Sequence, residues 1–156
     1  MLVAYGSKHG STEKVAEAIT EKLKHAGRDV ELRRAANVEG LTRYDGVVLG
    51  GSLYFGRWHG DAVCFLSKHR RELSELPVTV FALGPQSAEP QDLAKSRAQL
   101  DKALQKVPEV EPRSIAVFGG VIDPAKLRFP LNRMPASDAR DWNAIEAWTD
   151  EIRRTT

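Results

Sequence analysis

A doubly wound α/β sandwich around one parallel sheet is the fold class this sequence predicts, and three observations predict it. Apolar runs of four to six residues alternate with longer stretches of helical period, the pattern of a parallel sheet covered by helices on both faces. Four of the five apolar runs are almost continuously hydrophobic, as strands buried on both faces are. The fifth, Asp29-Val30-Glu31-Leu32-Arg33, alternates and therefore belongs at an edge. A central first strand beside an edge second strand fits the five-stranded order 2-1-3-4-5, with ligands expected outside the carboxyl ends of strands one and three.

The strands are read at residues 2–5, 29–33, 46–50, 78–83 and 114–118. The first helix spans residues 11–26, with Val15, Ile19 and Leu23 as its buried stripe and Gly27 as its C-terminal cap. A short second helix is expected over residues 38–44, and a third is organised by Ala62, Phe65, Leu66, His69 and Leu73. Leu93, Leu100, Leu104 and Val107 organise a fourth. Trp142, Ile145, Thr149 and Ile152 organise the last, with Asp138 and Asp141 at its start.

A length of 156 residues suits one domain over residues 1–156, and 42% hydrophobic with 28% charged residues excludes a disordered chain. No apolar run approaches the roughly 20 residues of a membrane-spanning helix, and the start lacks a basic region ahead of an apolar one, so a cytoplasmic protein is expected. Cys64, the only cysteine, excludes an internal disulfide and a cysteine-rich metal site, and its apolar setting predicts a buried packing thiol. A net charge of +2 from mixed signs does not indicate a nucleic-acid binder.

The chemistry is expected in the loops. Ser7, Lys8, His9, Gly10, Ser11 and Thr12 join a strand to a helix and bring three hydroxyls and a glycine together, which suits a phosphate at a helix N-terminus. Ser11 follows Gly10 where a polyphosphate loop needs lysine, and no Gly-x-Gly-x-x-Gly occurs, so nucleotide hydrolysis and dinucleotide binding are not indicated. After strand three, Ser52, Leu53, Tyr54, Phe55, Gly56, Arg57 and Trp58 place aromatics where a planar ligand would meet them; the alternative for each ring is packing under the third helix. Gly84, Pro85, Gln86 and Ser87 form a third small-residue loop on the same rim. Of the remaining histidines, His25, His59 and His69, only His59 borders these loops. In residues 121–137, Lys126, Arg128 and Arg133 alternate with apolar residues, either as a lip for an anionic partner or as a solvated loop.

These motifs, with Phe118-Gly119-Gly120 and Asp141-Trp142, resemble the flavodoxin-like FMN proteins, in the branch that contains the menaquinone-dependent protoporphyrinogen oxidase. The resemblance implies that the FMN phosphate sits on Ser7, Lys8, His9, Gly10, Ser11 and Thr12, with the ring between the Ser52 to Trp58 and Gly84 to Ser87 loops. It departs from the family in three places. His9 stands for a usual threonine, no aromatic follows strand four, and residues 121–137 are short and basic where the oxidases carry a longer membrane-associating insertion.

The function expected is therefore an FMN-dependent oxidoreductase of porphyrinogen or quinone type, its electron donor or acceptor a quinone, a porphyrinogen or a redox protein. The alternative is an electron carrier without its own substrate. Carrier flavodoxins are strongly acidic, and the isoelectric point of about 8.8 tilts the expectation towards an enzyme. Receiver-type signalling lacks its acidic residues after strands one and three, and a hydrolase lacks its Gly-x-Ser-x-Gly elbow.

Overall fold

The computed structural model describes residues 1–84 and 87–155, and of Leu131 only the backbone. Pro85 and Gln86, two of the expected site residues, lie outside the described residues.

Five parallel strands form the sheet: β1 (Leu2–Gly6), β2 (Glu31–Arg34), β3 (Val47–Tyr54), β5 (Val78–Leu83) and β6 (Ser114–Phe118), with β4 (Arg57–Trp58) folded back antiparallel on β3. Their order, β2-β1-β3-β5-β6, is the predicted one, with the alternating strand at an edge. Register is tight at the centre, where Leu2 to Gly6 pair with Val47 to Gly51. Successive residues of β1 serve opposite faces, as the pleat demands. Leu2 and Ala4 join a core with Leu49, Val80, Phe65 and Leu66, while Val3 and Tyr5 join another with Val15, Ile19, Phe81, Trp148 and Ile152.

Helix α1 (Ser11–His25) ends as expected, with Gly27 at φ +83° and its N–H donating to the Lys24 carbonyl. Helices α4 (Pro90–Leu104) and α5 (Trp142–Thr155) match the fourth and fifth helices read from the sequence. Asp141 caps α5 through the Ala144 N–H, whereas Asp138 belongs to the short strand β8 (Ser137–Asp138), paired with β7 (Val121–Ile122). Trp142 is 40% exposed, and Trp148 takes the buried aromatic position on α5.

Four expectations are corrected. No helix spans residues 38–44; a 3-10 turn covers Ala35–Asn37, and Val38, Leu41 and Tyr44 instead anchor a loop by burial at a spacing of three that mimics a helix. The third helix is two, α2 (Gly60–Lys68) and α3 (Arg70–Glu75), broken at His69, which is buried with its Nδ1 3.3 Å from Glu72. Cys64 is exposed, because α2 turns Ala62, Phe65 and Leu66 inward and leaves position 64 on the opposite side. The segment after Gly50 is not all loop: β3 continues to Tyr54. Among the described residues, no helix is long and apolar enough to cross a membrane.

Candidate functional site

The first wall is the β1–α1 loop. Gly10 adopts φ +87°, a left-handed conformation natural to glycine, and its N–H donates to Ser7 Oγ at 2.9 Å, closing the loop on itself. The Lys14 N–H then donates to the Gly10 carbonyl and α1 begins. Thr12, in the first turn, is fully buried, and its Oγ1 has no hydrogen-bond partner. A buried polar atom left so costs about 1–3 kcal/mol, so an unfilled hydroxyl at a helix start marks a place built for an acceptor. Burial, reinforced by Lys8 and Lys126 and opposed by Asp123, holds the His9 imidazole below its usual pKa. Lys126 Nζ also donates to the His9 carbonyl at 3.2 Å, tying the distant loop after β6 to this one. Beneath, the Tyr5 hydroxyl donates to Glu13 at 2.5 Å; burial first, then Glu13, pushes Tyr5 up to about 12.

The second wall is the β3–β4 hairpin. Leu53 pairs with Trp58 and Tyr54 with Arg57, which leaves Phe55-Gly56 as a two-residue turn. Both turn residues have positive φ, +48° and +75°, the signature of a type I′ turn. Glycine takes that conformation freely, but a phenylalanine pays about 1–2 kcal/mol for it. Phe55 is nonetheless 80% exposed, packed edge-on against Tyr54 at 5.4 Å. The His9 ring lies 5.9 Å from Tyr54, so the two walls meet.

Two glycines set the base of the hairpin. A Cβ on Gly50 would lie 2.1 Å from the Phe81 ring, and one on Gly51 2.6 Å from the Trp58 indole nitrogen. That nitrogen donates to the Gly51 carbonyl at 3.0 Å, and Trp58 is 4% exposed. Trp58 is thus a packing residue.

The third wall is α4. A Cβ on Gly84 would meet Ser96 Oγ at 2.8 Å, so the glycine lets the helix come against the end of β5. Asp92, Lys95, Ser96 and Gln99 present one face at helical spacing, and Ser87 donates to Asp92. The walls, with Gly120, Val121, Ile122, Leu127 and Met134, enclose a cavity of about 410 Å³, within the range of small-molecule sites.

Of the expected residues, Ser7, Lys8, His9, Ser11, Ser52, Leu53, Tyr54, Phe55, Gly56 and Gly84 line this cavity together. Gly10, Thr12, Arg57, Trp58 and Ser87 do not line it, although Gly10 and Thr12 belong to the β1–α1 wall and Ser87 holds Asp92. His59 does not line it and instead caps α2, accepting from the Asp61 N–H, with its Nδ1 2.6 Å from where a Cβ on Gly6 would fall. The polar face of α4 escaped the sequence reading, although its i, i+3, i+4, i+7 spacing is readable once Leu100 and Leu104 define the opposite, buried side. Among the described residues, no group of three or more His, Cys, Asp or Glu side chains is placed to hold a metal.

The class that this fold and site define is the open α/β proteins that cradle a ligand outside the carboxyl ends of their strands, around a helix N-terminus. A family model described as a flavodoxin domain matches residues 2–134, and the chain belongs to that family. It is 22% identical, over 85% of its length and 71% of the relative's, to a protein from Escherichia coli K12 named protoporphyrinogen IX dehydrogenase [quinone]. Among solved structures it resembles a flavodoxin of Streptococcus pneumoniae TIGR4, with a TM-score of 0.60 at 16% identity, covering 99% of this chain and 98% of that one. Oxidised flavodoxin 1 of Bacillus cereus superposes with a TM-score of 0.62 at 16% identity, over 99% and 97% of the two chains.

Proposed function

We propose that this protein binds FMN in the cavity and works as a flavin-dependent oxidoreductase, with a quinone or a porphyrinogen among the compounds it exchanges electrons with. The observation that carries the reading is the buried, unpartnered Thr12 hydroxyl at the start of α1, next to Ser7 and Ser11, which line the cavity. Such a donor set fits one phosphate: a helix N-terminus favours an anion, and Gly10 lets the backbone approach it. The aromatic hairpin and the apolar wall of Leu53 and Leu83 fit a flat ring system.

FMN would supply the redox chemistry, taking up and releasing electrons, while the protein sets its binding, access and potential. Ser7, Ser11 and Thr12 would hold the phosphate. Tyr54 and Phe55 would cover one side of the ring, and the polar α4 face would meet its heteroatoms. The oxidoreductase reading draws on the name of the Escherichia coli relative and on this chain's basic character. The second reading, an electron carrier, draws on the likeness to flavodoxins.

Titration of the purified protein with FMN and with riboflavin tests the cofactor. FMN is expected to bind at least about tenfold more tightly, since bonds to a charged phosphate contribute about 1.5–3 kcal/mol each. Equal binding removes the phosphate loop from the site. Steady-state turnover of the FMN-loaded protein with candidate donors and quinones then separates the enzyme from the carrier, which exchanges electrons without substrate-specific turnover.

A further inference from the structure

We propose that Tyr5, backed by Arg34, is a positioning residue that holds the Glu13 carboxylate away from the start of α1 and so keeps that helix end open for an anion. The identity of the anion as the FMN phosphate rests on the flavin reading above; the withdrawal of Glu13 does not.

Helix α1 begins without a side-chain cap: its N-cap is Gly10, which has no side chain to offer. The Gly10 N–H is taken by Ser7 Oγ, so the donors of the first turn left without an intrahelical acceptor are those of Ser11, Thr12 and Glu13. The fully buried Thr12 hydroxyl among them is also unpartnered. A helix end of this kind is ordinarily closed from within the chain. The third residue of the helix is the one best placed to close it, since a glutamate there reaches back towards the cap and its charge is drawn by the macrodipole. Here that residue is Glu13, the one acid in the first turn of α1.

Glu13 is turned to the sheet instead, and both of its oxygens are engaged there. The Tyr5 hydroxyl donates to Oε1 at 2.5 Å, and Arg34 Nη2 lies 3.9 Å from Oε2. Tyr5 and Arg34 are direct partners across β1 and β2, with the guanidinium 5.7 Å from the centre of the Tyr5 ring, so one strand pair presents a donor and a cation side by side. Tyr5 is 5% exposed and packed in the core with Val15 and Ile19, which fixes where its hydroxyl stands. Burial first, then Glu13, raises Tyr5 to about 12, and the hydroxyl keeps its proton as a donor throughout the ordinary pH range. The neighbouring cation on α1, Lys14, pairs with Glu17 at 3.2 Å rather than with Glu13. A carboxylate loose at this helix end would repel a bound anion and compete for the amides it needs. A plain packing role for the Tyr5 hydroxyl predicts loss of stability alone, with no distinction between charged and uncharged ligands.

Equilibrium titration of the full chain with FMN and with riboflavin, in Tyr5→Phe and in Tyr5→Phe/Glu13→Ala, separates the two. Tyr5→Phe keeps the buried ring and frees Glu13, so FMN affinity is expected to fall about three- to tenfold while riboflavin affinity stays within about twofold. Removing the freed carboxylate in the double variant should return FMN affinity to within about twofold of the parent. Melting of each FMN-free protein confirms that it is folded. The rise in Tm given by about 20 mM inorganic phosphate, against chloride of equal ionic strength, reads the anion site without a flavin; it should shrink in Tyr5→Phe and return in the double variant. The proposal is overturned by unchanged FMN and phosphate binding in Tyr5→Phe, by equal weakening of FMN and riboflavin, or by a double variant that binds FMN no better than the single one. Phosphate stabilisation that follows this pattern in a protein with no preference for FMN over riboflavin would sink the flavin reading and leave the role of Tyr5 standing. A preference for FMN that Tyr5→Phe leaves intact does the reverse.

Discussion

Phe55→Asn is the perturbation that best separates what the hairpin costs from what it does. Phe55 sits at φ +48° as the first residue of a type I′ turn whose second residue, Gly56, is ideal for it. Holding a phenylalanine there costs about 1–2 kcal/mol, and asparagine removes most of that strain because Asn-Gly is the preferred pair for this turn. Being 80% exposed, Phe55 gives up little burial, chiefly its edge contact with Tyr54, which contributes about 0.5–1.5 kcal/mol. The net expectation is a more stable FMN-free protein, by up to about 1 kcal/mol. Calorimetry should show that as a rise in Tm of about 2–4 °C. In the same variant FMN affinity should fall about two- to tenfold, as one aromatic contact is lost. A lower Tm would refute the strain argument. A higher Tm with unchanged FMN affinity would show that the strain is not retained for the cofactor.

Three other outcomes follow from the same geometry. Thr12→Val replaces an orphaned hydroxyl with a methyl of similar shape, so the FMN-free protein should melt no lower while FMN binding weakens by at least about tenfold, read by equilibrium titration. Phe81→Ala empties a ring buried between Gly50, Phe118 and Trp148, and should cost about 3–5 kcal/mol in urea unfolding. His9 is held below its ordinary pKa in the folded protein, so the unfolded chain takes up this proton first as pH falls. The contribution is intact above about pH 6.5, the unfolded value, and is lost as pH drops through the lowered folded one. Denaturation midpoints of the FMN-free protein and of His9→Asn, compared from pH 7.5 down to about 5, should therefore diverge only on the acid side.

The sheet was legible because its strands are buried on both faces and read as unbroken apolar runs, and because Asp29 to Arg33 alternate and so mark the edge. The β1–α1 loop was legible as a strand-to-helix connection because Gly10 and the hydroxylated residues around it break the apolar run of β1 just before the stripe of α1. The hairpin was not: Gly50 and Gly51 read as the start of a loop, yet their missing side chains make room for the Phe81 ring and the Trp58 indole, and β3 runs on. Trp58 looked like a ligand contact for the same reason, since nothing local reveals that its indole folds back onto Gly51. His69 fits the buried face of one long helix, and its partner Glu72 emerges only with the break between α2 and α3. The α4 wall and Leu127 with Met134 come from segments far apart in the chain, so their convergence depends on the crossovers rather than on any local pattern.

The bond from Lys126 to the carbonyl of His9 joins residues 117 positions apart, and it makes the two loops thermodynamically reciprocal. Whatever fixes the residues from Ser7 to Thr12 also fixes the acceptor that Lys126 needs, and so lowers the chance that the turn at Pro124–Lys126 opens. Conversely, a contact that steadies this turn pre-orders the loop at the head of α1. Amide hydrogen exchange reads this directly: the Ala125, Lys126 and Leu127 amides, which close the turn on Asp123 and Pro124, should slow when a ligand occupies the opposite wall. An event at the rim would then be felt at the head of α1, without any movement of the sheet between them.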